Sequence, residues 1–149
     1  MLSDLNEIEI AGHILNSHRQ YVGGELIERS TDPKVNAQRL FELDAVVLSH
    51  DGGADPRFVY ANLAAARLWR MDVDELVGMP SRLSAPPDHR NERQAMLQQA
   101  AQDGVLHGYA GTRVAKDGTL FVIEDATLWT VDYPQGRGQA VVFRSWHHN

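Results

Sequence analysis

Apolar positions near the start of the chain recur every three or four residues, a spacing typical of a helix with one buried side. The stripe consists of Leu5, Ile8, Ala11 and Leu15. Asp4 and Glu7 have the spacing of a capping pair, and the glycines at 23–24 end the pattern. Where Asp32 precedes Pro33, a capping carboxylate and a first-turn proline predict a second, shorter helix.

The pattern then changes to apolar, β-branched segments that are typical of strands. Residues 45–49 and 57–61 flank a turn-forming segment at 51–56, so together they predict a hairpin. Asn62 has the position of a helix cap, and Asp72 opens the pattern of a capping box. Short helices are therefore expected directly after the hairpin.

The second half of the chain predicts one longer helix followed by strands. The helix begins near Asp88 and ends at Gly104. Three strand-like segments follow it, at 107–115, 120–131 and 139–146. Two strands first and three last, with helices between them, predict an α+β fold built on one five-stranded antiparallel sheet.

Both alternating sets of positions in the last strands are apolar, so helices should cover both faces of the sheet. We expect the short helices on one face and the amino-terminal helix on the other. Residues 1–44 are interpreted as a helical extension for packing or dimerisation, and residues 45–149 as the sheet-containing domain. The amino-terminal stripe can either dock on this sheet or pair with a second copy.

Composition narrows the function classes. A length of 149 residues fits one domain, and a net charge of −6 argues against binding nucleic acid through the whole surface. The absence of cysteine excludes disulfides, thiolate metal sites and cysteinyl photoadducts. No apolar segment approaches the roughly 20 residues that cross a bilayer, and no secretory leader pattern opens the chain. We therefore expect a cytoplasmic protein without a membrane partner.

Several segments, in this order, carry a family resemblance. The strings FVYAN at 58–62, DELVG at 74–78 and KDGTLF at 116–121 resemble the PAS sensory fold. The strings VLSH at 47–50, PSRLSA at 80–85 and IEDA at 123–126, with Tyr109, Gly111, Arg113 and Trp129, resemble the MEKHLA domain. The resemblance spans about residues 13–146 and implies the stand-alone bacterial type, because no homeodomain or coiled-coil segment accompanies it.

The resemblance implies a ligand pocket between the concave face of the sheet and the short helices. Alignment of the 116–118 turn with that of flavin-binding light-oxygen-voltage domains puts a common set on the pocket side: Arg113, Ile123, Asp125, Thr127 and Trp129. Strand alternation adds Tyr109 and His107. Ser81 falls where the photoactive domains keep a reactive cysteine, and Arg82 is a candidate clamp for a carboxylate or phosphate.

Other interpretations of these residues remain open. Arg113 and Asp125 can form a structural salt bridge, Trp129 and Trp69 can be core aromatics, and Arg82 can cap loop carbonyls. Arg82, Arg90 and Arg93 are interpreted as a solvated basic face. The cofactor is unknown: flavin photochemistry is disfavoured by the serine, and no spacing supports His89 or His107 as a haem ligand. His147 and His148 are too few for a closed metal site and are expected in a flexible tail.

The preferred interpretation is a non-enzymatic sensory domain that binds an unidentified small molecule and signals through a partner protein or a dimer. One alternative is a structural or protein-interaction module whose pocket is filled by side chains. The other is a small enzyme that uses acid-base groups in the cup, for which the candidates are His50, Tyr109, Glu124 and Asp125.

Overall fold

The computed structural model describes residues 6–148. The helices are α1 (Glu7–Tyr21), α2 (Pro33–Phe41), α3 (Leu63–Trp69), α4 (Val73–Leu76) and α5 (Arg90–Asp103). The strands are β1 (Val46–His50), β2 (Phe58–Ala61), β3 (Val105–Val114), β4 (Leu120–Tyr133), β5 (Gly136–Phe143) and β6 (Ser145–His148). Two 3-10 turns, Ser81–Ser84 and Pro87–His89, precede α5. Over this range no helix has both the length and the apolar character needed to cross a membrane.

Side chains at the first turn cap α1, α2 and α4. Asn6 caps α1 by accepting from the Glu9 amide at 2.9 Å, while the expected cap at Asp4 and the stripe residue Leu5 lie outside the described residues. The Asp32 carboxylate accepts from the Lys34 amide at 2.9 Å, as the sequence predicted for α2. The capping box of α4 is also formed. These helix starts follow from residues within one turn of each other, which is why the sequence pattern could predict them.

One antiparallel sheet contains every named strand, and its order is β2-β1-β5-β4-β3. β6 pairs with β4 in the register that β5 already follows, so it continues β5 beyond Arg144. The predicted α+β fold and antiparallel sheet are confirmed. The expected flexible tail at His147 and His148 is wrong, because both residues pair with β4.

Helices cover both faces of the sheet. On the face covered by α3, α4 and α5, which we call the α5 face, Trp69, Phe121 and Leu128 belong to one buried cluster. On the opposite face, which we call the α1 face, α1 and α2 pack over Trp129 and Val131. The buried stripe of α1 is formed by Ile10, Ala11, Ile14 and Leu15. The stripe therefore docks on its own sheet, and a symmetric pairing through the same side chains would require it to leave this position.

Two irregularities in the β3-β4 ladder decide which side chains share a face. Asp125 adopts a left-handed φ of 50° and adds one residue to β4, and Gly108, at φ 69°, marks the compensating shift in β3. One inserted residue inverts the alternation of a strand. Ile123 and Ala126 consequently face the same side, and Trp129 lies on the α1 face. The expected common face for Arg113, Asp125 and Trp129 is therefore wrong.

Candidate functional site

A small cavity lies beneath α5, between this helix and the concave side of the sheet. Its volume is about 40 Å³, which is space for about three water molecules. Apolar side chains, including Leu48, Phe58 and Leu128, form most of the wall. Six polar or charged side chains from three strands, α5 and the first 3-10 turn also line it: His50, Ser84, Arg93, Tyr109, Arg113 and Gln139.

Arg113 projects from β3 into this cavity and is only 6% exposed. Its Nη2 donates to the Tyr109 hydroxyl, its Nη1 donates to the Thr112 carbonyl at 2.8 Å, and its guanidinium lies 5.3 Å from the centroid of the Tyr109 ring. Gly111 lies between the two side chains. A Cβ there would be 2.7 Å from the Tyr109 hydroxyl oxygen and 2.9 Å from Arg113 Nη1. The tyrosine, glycine and arginine therefore form one steric unit on β3.

Arg93 reaches the same cavity from α5 and is also 6% exposed. Burial lowers the pKa of its guanidinium to about 10, and the nearby charge of Arg113 acts in the same direction. An arginine with this pKa still carries its charge at pH 7. The interpretation of Arg93 as part of a solvated basic face is wrong. Its spacing from Leu97 and Ala100 places it on the buried side of α5, and this was the signal that the sequence offered.

Neither guanidinium has an acidic partner among the described residues, 6–148. Across residues 6–148, every ion pair involves other side chains. Asp125, which the sequence analysis offered as a partner of Arg113, lies exposed at the bulge of β4. Burying a charge without a partner costs several kcal/mol. The cavity thus holds two positive charges that no carboxylate in the described chain compensates.

His50, at the end of β1, adds an acceptor to the cavity. Its Nδ1 lies 2.8 Å from the Asp51 carbonyl, which can only accept, so Nδ1 carries the proton. The lone pair of the buried Nε2 accepts no hydrogen bond from residues 6–148. Burial, with the charge of Arg93 acting in the same direction, lowers the pKa of His50 to about 4, so the ring is neutral at pH 7. The sequence suggested His50 only as a candidate acid-base group of the cup and not as a ligand contact.

The loop residues proposed from the sequence lie outside the cavity lining. Arg82 forms a two-pronged ion pair with Asp55 at 3.1 and 3.4 Å, half exposed to solvent. It is Arg90 that caps the loop, since its Nε lies 3.1 Å from the carbonyl oxygens of both Arg82 and Ala85. Ser81 is buried with an unpartnered Oγ, but it does not line the cavity.

The structure thus brings together only some of the predicted residues. Arg113, Tyr109 and Ile123 line the cavity. Trp129 is a core residue of the α1 face, where its indole nitrogen donates to Ser17 Oγ at 3.1 Å. His107 and Thr127 are hydrogen-bonded to each other at 3.3 Å outside the lining.

A flavin or haem does not fit this cavity. Pockets for ligands of drug or cofactor size usually measure about 300 to 1,000 Å³, several times the space beneath α5. The two histidines considered as axial ligands, His89 and His107, are not among the residues lining the cavity. The two guanidinium donors and the one imidazole acceptor suit a guest much smaller than either cofactor.

A family model described as the MEKHLA domain matches residues 8–148. Among solved structures, the PAS domain of a protein from Colwellia psychrerythraea matches with a TM-score of 0.63 and 14% identity, over 73% of this chain and 92% of that chain. A PAS domain from a two-component sensor histidine kinase matches with a TM-score of 0.62 and 13% identity, over 78% of this chain and 95% of that one.

A third similar structure is described as an RNA-binding light-oxygen-voltage receptor. Its TM-score is 0.62 at 20% identity, and the match covers 85% of this chain but only 35% of the receptor. No curated protein matches the chain. At these identities, the structural likenesses show the PAS fold alone.

Proposed function

The chain belongs to the MEKHLA domain family, and on that basis we propose that it is a non-enzymatic sensory module of the PAS fold. It binds a small molecule in the cavity beneath α5 and passes the binding event to a partner protein. The observation that carries this proposal is a set of uncompensated groups at the cavity: within residues 6–148 the Arg93 and Arg113 guanidinium groups have no carboxylate partner, and His50 Nε2 has no donor.

Burying these groups costs free energy of folding. A hydrophobic side chain of similar volume in place of either arginine would avoid the desolvation of a charge. A buried acceptor without a donor, such as His50 Nε2, costs about another 1 to 3 kcal/mol. A guest that pairs with these groups would recover part of that cost, which favours a binding role for the cavity over a purely structural one.

α5 is the element through which binding would act. It carries Arg93 over the cavity, and its Leu97 carbonyl accepts from Gln139 Nε2 at 2.8 Å. Arg90 ties the start of the helix to the preceding loop through the Arg82 and Ala85 carbonyls. A guest that contacts Arg93 would favour one position of α5 over the others, which shifts the population of the molecule toward that arrangement.

Native mass spectrometry of the intact chain, freshly purified from its host, tests this function. We expect a bound small molecule that is released on denaturation. The variant Leu48→Phe places a larger side chain on the cavity wall and should lose the bound mass. Val47→Ile is the matched control, because Val47 neighbours Leu48 on β1 but packs on the α1 face. A guest retained in Leu48→Phe as in the wild-type chain would count against this site.

A structural or protein-interaction module is the second candidate, and the small volume of about 40 Å³ favours it. In that case the chain should carry no guest under any purification condition. The mass of the native particle would then equal the mass of the polypeptide, and Leu48→Phe would change only stability. The two candidates therefore predict different masses for the same sample.

An enzymatic role has less support. Asp125 and Glu124 lie outside the cavity, and Glu124 contacts His147 on the exposed side of β4. His50 does face the cavity, but a base with a pKa of about 4 accepts protons poorly at pH 7. The proposal accordingly assigns these groups to binding.

The proposed partner is a protein. The net charge of −6 does not favour nucleic acid, and RNA binding by the light-oxygen-voltage receptor is a property of that receptor. A homodimer through the amino-terminal helix would need an apolar surface on α1, whereas Ile14 and Leu15 are fully buried against the sheet. Any self-association is therefore expected to use another surface.

A further inference from the structure

Resting on the proposed function of the cavity, we infer the chemical class of its ligand: a two- or three-carbon carboxylate with a hydroxyl group on the adjacent carbon. The carboxylate lies between the guanidinium groups of Arg93 and Arg113. The hydroxyl donates to His50 Nε2. Glycolate is the smallest member of this class.

The two buried positive charges favour an anionic guest. Both arginines are 6% exposed, and in the part of the chain that the structure describes neither has a carboxylate partner. A neutral guest would leave both charges uncompensated. An anion pairs with both at once, and a guanidinium is suited to a carboxylate because its planar N–H groups match two oxygens.

Among the described residues, Arg93 and His50 have hydrogen-bonding groups that remain free at the cavity. Arg113 already donates from Nη1 and Nη2 to the Thr112 carbonyl and the Tyr109 hydroxyl, which holds its guanidinium in place. No hydrogen bond between Arg93 and another side chain or the backbone is found within residues 6–148. Arg93 therefore has its N–H groups available for a guest, whereas Arg113 is held in place by its own hydrogen bonds. His50 Nε2 accepts only, so the guest must also bring a donor.

The volume of the cavity and its apolar walls limit the size and polarity of the guest. A volume of about 40 Å³ holds a guest of a few heavy atoms. The walls are mostly apolar, and Leu48, Phe58 and Leu128 contribute to them. Carbon-bound hydrogens suit such walls better than the fully polar surface of phosphate or bicarbonate. The combination favours a short hydroxy-carboxylate over an inorganic oxyanion.

Isothermal titration of the full chain, stripped of any co-purified guest, tests the class. The probes are sodium glycolate, sodium acetate, acetamide, sodium phosphate and sodium bicarbonate, at one ionic strength set with sodium chloride. We expect acetate to bind at least about thirtyfold more tightly than acetamide, because only acetate compensates the buried charges. Glycolate should bind about threefold to tenfold more tightly than acetate, which is the effect of one added hydrogen bond.

Variants locate the effect. Arg93→Met and Arg113→Met should each weaken glycolate at least about thirtyfold, and His50→Leu should remove the preference for glycolate over acetate. Without ligand, Arg93→Met should melt at a higher temperature than the wild-type chain, because it removes a buried charge. Arg67→Met is the matched control: this arginine is exposed on α3, away from the cavity lining. If Arg113→Met fails to fold, Arg93→Met and Arg93→Gln carry the test.

The outcomes of these experiments distinguish an error in the ligand class from an error in the assigned site or in the proposed function. Tighter binding of phosphate or bicarbonate than of glycolate would overturn the carboxylate class. Binding of acetamide as tight as that of acetate would overturn the anion inference and leave the sensory function standing. If no probe binds and native mass spectrometry finds no guest, both the inference and the proposed function are wrong. Unchanged glycolate affinity in Arg93→Met and Arg113→Met would overturn the assigned site.

Discussion

The two faces of the sheet bury aromatic side chains of similar size but differ in their polar groups. On the α1 face, the Trp129 indole donates to Ser17, and Ser17 donates to the His13 carbonyl at 2.7 Å. On the α5 face, Arg93 and Arg113 lie at a cavity, and no carboxylate in the described part of the chain pairs with either of them. The indole and hydroxyl named on the α1 face are satisfied from within the chain, whereas the α5 face leaves charges to be compensated.

Because of this difference, we expect the α1 face to contribute to stability alone and the α5 face to contribute to ligand binding as well. Tyr60 on the α1 face also has a buried hydroxyl without a partner, but a neutral hydroxyl costs far less than a charge. Substitutions on the α1 face should therefore change stability alone. Substitutions at the cavity should change stability and ligand response in opposite directions.

The largest expected effect is on the α1 face. Trp129→Ala removes a fully buried ring and should lower the free energy of unfolding by about 3 to 5 kcal/mol. Urea denaturation measures it. The matched control is Trp146→Ala on β6, where the side chain is 37% exposed and a loss of less than about 1 kcal/mol is expected. Equal losses in the two variants would contradict the assignment of Trp129 to the core.

A pH series compares one histidine from each face. The folded pKa of His50 is about 4 against 6.5 for an unperturbed histidine, so between these values the unfolded state binds a proton that the folded state does not. Stability is therefore lost as the pH falls from 6.5 to 4, by about 3 kcal/mol in total. His50→Asn keeps a donor for the Asp51 carbonyl and should remove this loss.

His18→Asn is the counterpart on the α1 face. Burial lowers the pKa of His18, while its contact with the Gly24 carbonyl and the charge of Glu25 act against that effect. We expect this variant to remove a smaller part of the acid sensitivity than His50→Asn. Urea titrations at pH 7, 5.5 and 4.5 measure both. A larger change in His18→Asn than in His50→Asn would reverse the comparison.

The bulge that assigns side chains to the two faces is the third target. Asp125 has a φ of 50°, which a β-branched residue adopts at a cost of about 1 to 2 kcal/mol and glycine adopts freely. Asp125→Val should be less stable than the wild-type chain by about that amount, and Asp125→Gly should be at least as stable. Thermal unfolding of the pair measures this. A valine variant as stable as the glycine variant would mean that the bulge is absent.

The smallest effect is expected at Arg82. Its ion pair with Asp55 is half exposed, so Arg82→Ala should change stability by less than about 1 kcal/mol. Because Arg82 does not line the cavity, glycolate affinity should stay as in the wild-type chain. Titration of this variant beside Arg113→Met gives the comparison. A strong loss of affinity in Arg82→Ala would restore the ligand clamp that the sequence suggested.

Most of the fold could be predicted because its signals are local. Asn62 was predicted as a helix cap, and its side chain does accept from the Ala65 amide at 3.1 Å. The same side chain also accepts from Val47 and donates to the Ala45 carbonyl, contacts that join distant segments. The spacing of residues along the chain does not predict those two contacts, because they depend on the position of β1 in the folded structure.

The candidate site could be predicted only in part for the same reason. Tyr109 and Arg113 lie on a segment of β3 that has no inserted residue of its own, because the extra residue at that point belongs to β4. The turn alignment for Arg113 and strand alternation for Tyr109 therefore placed both side chains on the cavity side. The prediction for Trp129 crossed the bulge at Asp125, after which every side chain changes face. Arg93 was placed with the exposed arginines because its neighbours in sequence are polar, although it lies on the buried side of α5.

The amino-acid sequence by itself determined the order of helices and strands, the helix caps and the antiparallel α+β architecture, because hydrophobic period and capping chemistry act over a few residues. Only the tertiary structure decided which side chains meet beneath α5 and which pack against α1. A single left-handed residue in β4 inverts a strand, and the burial of an arginine depends on the elements that close over it, so both are properties of the whole assembled chain.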